Sequence, residues 1–128
     1  MAQAATLNAR RIAVIHGDRQ LTFAEAWRRG IRLANALLAL GLEPGDRIGV
    51  LEDNSIEAQD LFAGATIAGL VRVPLYARNS AEAHIHMLDH TGCRAVIVAE
   101  HYAHEIEAIR GEVSGLEHVV VRDSSYES

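Results

Sequence analysis

The sequence predicts an α/β domain built on a doubly wound, mostly parallel sheet, preceded by a small N-terminal β-hairpin. Three observations carry this reading. Short runs rich in valine and isoleucine, Ile48 to Leu51, Val71 to Val73, Ala95 to Ala99 and Val119 to Val121, alternate with helical patterns. That alternation calls for parallel strands joined by right-handed crossovers. Helix caps and stops punctuate the alternation. Pro74 closes the second run; proline cannot donate to a sheet ladder, so it marks the exit of a strand at its carboxyl end. In open α/β sheets, ligands gather outside that end.

Taken in order, Ile12 to Ile15 and Gln20 to Leu21 flank the turn residues HGDR and form the hairpin. Thr22 and Glu25 have capping-box spacing. Phe23, Ala26, Trp27, Ile31, Ala34 and Leu38 then repeat at helical period, with Arg28, Arg29 and Arg32 on a solvated opposite face. The periodicity makes Trp27 the anchor of this helix. Gly41 stops it, and Pro44-Gly45 has the form of a type II turn. After the strand Ile48 to Leu51, Asn54 and Glu57 are spaced to cap a helix from Ser55 to Gly69. It is apolar on every side after Asp60 and is expected to be sandwiched within protein. Gly64, Ala65, Ala68 and Gly69 leave room there for another backbone. Asn79 and Glu82 are spaced to cap a third helix ending at Gly92, and a fourth runs from about Tyr102 to Arg110. Counted from Ile48, the predicted strand order is flavodoxin-like, 2-1-3-4.

At 128 residues, with 49% apolar and 23% charged side chains, the chain has the size and composition of one globular domain with one core. A net charge of −5 offers no basic footprint for nucleic acid or an anionic membrane. All 12 basic residues are arginine, so lysine chemistry is absent from this chain. Cys93 is the single cysteine and is read as a buried, inert thiol. The longest uncharged run, Leu61 to Val71, falls well short of the ~20 residues that span a bilayer. A cytoplasmic location is the expectation.

Seven histidines raise the question of a metal. In HIHMLDH, His86 and His90 share a helix face, but His84 falls nearly opposite and Asp89 lies off to one side, so a third ligand is wanting. His101 and His104 fix no coordination set. The expectation is no metal site. Nucleophile elbow, dinucleotide fingerprint and phosphate loop are all missing from the sequence, so no catalytic or cofactor-binding residue is assigned.

Three ordered stretches, LTFAEA (Leu21 to Ala26), GLEPGDRIGVLEDN (Gly41 to Asn54) and AGLVRVPLYAR (Ala68 to Arg78), resemble the opening of adenylate-forming enzymes, the superfamily of AMP-dependent acyl-CoA synthetases. SAEAHIHMLDHTGCRAVIV fits the helix and strand that follow. The resemblance implies that residues 1–128 are an incomplete N-terminal subdomain of an AMP-binding domain. It implies ATP, Mg²⁺ and CoA for a complete enzyme that activates a carboxylate to an acyl-adenylate and passes it to CoA. The phosphate loop and catalytic lysine of that family lie beyond the matched region. The isolated chain is therefore expected to be an inactive scaffold whose partner is the remainder of the synthetase. Ala77 stands where many relatives have a second proline, which leaves the loop from Tyr76 to Ser80 less constrained.

RIGVLEDNS also resembles the acidic first strand of a response-regulator receiver, which makes a free-standing binding or signalling module the alternative. A receiver requires a phosphoacceptor aspartate after its third strand and a lysine near the end of its fifth. Here the third strand runs into Ala99-Glu100, and lysine is missing. Because the helix from Ser55 to Gly69 is apolar all round, self-association is expected, most simply as a two-fold dimer that buries this helix or an unpaired sheet edge.

Overall fold

The computed structural model describes residues 12–16, 19–53 and 56–122. Where the chain length predicts one core, the chain divides into two compact units, Met1–Pro44 with Asn54–Leu70, and Gly45–Asp53 with Val71–Ser128.

In the first unit, strands β1 (Ile12–His16) and β2 (Arg19–Thr22) form the predicted antiparallel hairpin, with a register shift between Ile12 and Val14. The turn residues Gly17 and Asp18 lie outside the described residues. Helix α1 (Phe23–Ala39) starts at Thr22, whose Oγ1 accepts from the Glu25 amide at 3.2 Å and donates to Glu25 Oε1 at 3.0 Å. It stops at Gly41, whose φ of 94° only glycine adopts without strain. Its buried face is Ala26, Gly30, Ala34 and Leu37. The predicted face is therefore rotated: Trp27 is half-buried and Leu38 is 41% exposed. Gly30 on this face is small because helix α2 (Ile56–Ala68) crosses there. A Cβ on Gly30 would meet Ala63 Cβ at 3.1 Å, and one on Gly64 would meet the Leu33 side chain at 3.0 Å. Trp27→Ala is therefore expected to cost less than the ~3–5 kcal/mol of emptying a fully buried aromatic site.

Arg29 corrects the sequence reading further. Its Nε donates to Asp60 Oδ1 and Oδ2 at 2.9 Å each, and Nη2 donates to Oδ2 at 2.7 Å. Asp60 is 2% exposed, so Arg29 belongs to the helix interface and not to a solvated face. Helix α2 is buried along Leu61, Ala63, Gly64, Ala65 and Ala68, but Phe62 and Thr66 face solvent. It is thus not enclosed on every side. The Thr66 hydroxyl donates to its own helix at Phe62 O, 2.8 Å, which satisfies it without a partner element. The predicted cap Asn54 lies outside the described residues.

The second unit holds a four-stranded parallel sheet: β3 (Arg47–Leu51), β4 (Val71–Pro74), β5 (Cys93–Ala99) and β6 (His118–Arg122), in the order β4-β3-β5-β6. Counted from β3 this is the predicted 2-1-3-4. Helix α3 (Ala81–Thr91) ends at the αL residue Gly92 as expected, but its cap is Ser80, one residue later than the predicted Asn79: Ser80 Oγ accepts from the Ala83 amide at 3.2 Å. Helix α4 (Ala103–Ile109) is extended at both ends by 3₁₀ turns, Glu100–Tyr102 and Arg110–Glu112.

One core cluster joins Leu51, Val73, Leu75, Cys93, Val96 and Val98 of the sheet to Leu88 of α3 and Ile106 and Ile109 of α4. Ile48, Val50, Ala95, Ile97 and Ala99, on the other sheet face, are buried as well, which explains why these strands read as continuous apolar runs. The strand carrying Pro74 is an edge strand, not a buried one: only Val73 of its four residues is buried. Leu75 N donates to Val50 O at 2.8 Å immediately after the proline. By alternation, the missing amide of Pro74 faces the free edge, where it costs no ladder bond.

Candidate functional site at the carboxyl edge of the sheet

Because β4 and β5 lie on opposite sides of β3, the winding reverses between β3 and β5. This is the position where open α/β sheets bind ligands. Five polar side chains meet there. Strand β3 runs into Glu52 and Asp53, β5 into His101 and Tyr102, and β6 ends at Arg122. Register places Arg122 beside Ala99 at the end of β5, and its guanidinium reaches past that strand to Glu52. Nη2 donates to Oε1 at 2.7 Å and Nε to Oε2, with only 2% of the Glu52 side chain exposed.

Beside this strap, Asp53 Oδ1 accepts from Tyr102 Oη at 2.7 Å, and Oδ2 lies 2.8 Å from His101 Nε2. The two rings are 4.1 Å apart. The tyrosine hydrogen bond, followed by that of His101, holds the Asp53 carboxyl below its usual range, and the same carboxylate pushes the Tyr102 phenol up. With His101 and Asp53 both more than half exposed, such a pair contributes on the order of 1 kcal/mol or less. At the opposite edge, Arg94 joins Asp46 to Glu117, donating to Glu117 Oε2 from Nε at 2.9 Å and from Nη2 at 2.6 Å.

The carboxyl edge is thus closed by its own side chains. These residues do not fit a nucleotide phosphate, since two of the five are acidic and the guanidinium of Arg122 is engaged by Glu52. Nor do they fit a receiver site. Its two acids are committed to Arg122, His101 and Tyr102, and exposed Glu100 follows β5. Sequence reading passed over all three clusters, Arg29–Asp60 included. The available signal was positional, as Glu52-Asp53 directly follows a predicted strand and His101-Tyr102 follows another after Glu100.

Among the described residues, no three of His, Cys, Asp and Glu are grouped to hold a metal ion. His86 and His90 stack at 5.5 Å on the exposed face of α3 over a shallow depression shared with Glu82, Ile85 and Asp89. His104 is exposed, and Cys93 is fully buried. His84 faces the other way, as the helical wheel requires, and is 1% exposed, with both ring nitrogens lacking a hydrogen-bond partner among the described residues. A buried, unsatisfied polar group costs about 1–3 kcal/mol. His84→Leu is therefore expected to raise stability by up to that amount in a thermal or urea melt. A drop instead would place a bridging water on the ring.

The family model that describes AMP-binding enzymes matches residues 1–128. The chain belongs to the AMP-binding enzyme family. Among curated relatives of this chain, a long-chain-fatty-acid–CoA ligase of Mycobacterium tuberculosis, FadD13, is 37% identical over 95 residues. That match covers 74% of the chain and 19% of the relative. A feruloyl-CoA synthase of Amycolatopsis is 37% identical over 97 residues, 76% of the chain and 20% of the relative. The solved fatty acyl CoA synthetase of M. tuberculosis superposes with a TM-score of 0.91 at 33% identity, over 98% of the chain and 26% of that structure. The chain therefore spans about a fifth of the length of the curated relatives it matches. No helix among the described residues is long and apolar enough to cross a membrane.

Proposed function

We propose that this chain is the N-terminal scaffold of the large domain of an AMP-forming acyl-CoA synthetase and has no activity by itself. The observation that carries the proposal is a match of 37% identity to a CoA ligase that accounts for only 19% of the ligase's length. Together with the remainder of a synthetase in the cytoplasm, the chain would take part in ATP- and Mg²⁺-dependent activation of a carboxylic acid to an acyl-adenylate, followed by thioester formation with CoA. The local chemistry supports the scaffold role. Groups that stabilise a transferring charge must converge on it, whereas the carboxyl-edge groups converge on one another. The proposal assigns no metal to His86 and His90, and includes self-association of the chain.

Two measurements test it. ATP-pyrophosphate exchange by the isolated chain is expected to stay at background with fatty and aromatic acids. Replacing the matching segment of FadD13 by this chain is expected to leave acyl-CoA formation and acid preference those of the mycobacterial enzyme. Turnover by the isolated chain would refute the inactive scaffold; a chimaera that folds but changes its acid preference would give this segment a part in choosing substrate.

A further inference from the structure

We draw no further inference here: the strongest candidate, the Asp53–His101–Tyr102 side-chain cluster at the carboxyl edge of the sheet, belongs to the site already described, and nothing in the structure shows what that edge meets.

Discussion

Arg29→Ala is expected to destabilise the chain by about 3–5 kcal/mol, the range for stripping one partner from a buried ion pair. The asymmetry of the pair sets the direction. Asp60 has 3% of its side chain exposed and Arg29 has 18%, so removing the arginine leaves the more deeply buried charge behind without its guanidinium. Asp60→Ala leaves a cation that can still reach water and is expected to cost less. Replacing both residues with leucine-sized apolar side chains should recover most of the loss, because desolvating two ions offsets much of their attraction. Urea denaturation of the two single variants and the double variant checks the order. Equal losses for the single variants would mean that the guanidinium and the carboxylate are equally dependent on each other.

Leu88→Ala is expected to cost about 2–5 kcal/mol, since Leu88 is fully buried at the centre of the α3–sheet core. Its neighbour makes the site unusually informative. A Cβ built on Gly49 would lie 2.6 Å from Leu88 Cδ2 and 3.3 Å from Val96 Cγ2, so Gly49→Ala alone overpacks the core at about 1–3 kcal/mol. In the double variant, the new methyl enters the space that Leu88 vacates. The double loss is therefore expected to fall short of the sum of the single losses by at least about 0.5 kcal/mol, a coupling typical of contacting residues. Strict additivity would show that the sheet and α3 move apart instead of sharing one cavity.

These two sites mark the boundary of what the sequence made legible. Element order followed from alternation, caps and Pro74, because those signals act over a few residues. The pairing of Arg29 with Asp60 spans 31 positions, and periodicity cannot see a partner on another helix. It therefore placed an interface arginine on a solvated face. The same limit rotated the predicted stripe of α1: apolarity favoured Trp27 and Leu38, whereas helix approach favoured Gly30. The site fared similarly. The carboxyl edge was predicted as the place to look, but whether Glu52 and Asp53 await a ligand or hold Arg122, His101 and Tyr102 depends on contacts across 70, 48 and 49 residues respectively.

The single thiol gives the sheet a clock. Cys93 opens β5 with no exposed surface, its Sγ lies 3.2 Å from Thr91 Oγ1, and burial pushes its pKa up. A thiol-specific reagent in solution can therefore modify it only during moments when the start of β5 comes away from its neighbours, since the reactive thiolate needs both water and access. Labelling time under native conditions then counts openings of the unit that contains the sheet. The unit that contains α1 and α2 has no cysteine among residues 1–44 and 54–70 and is silent in the same experiment.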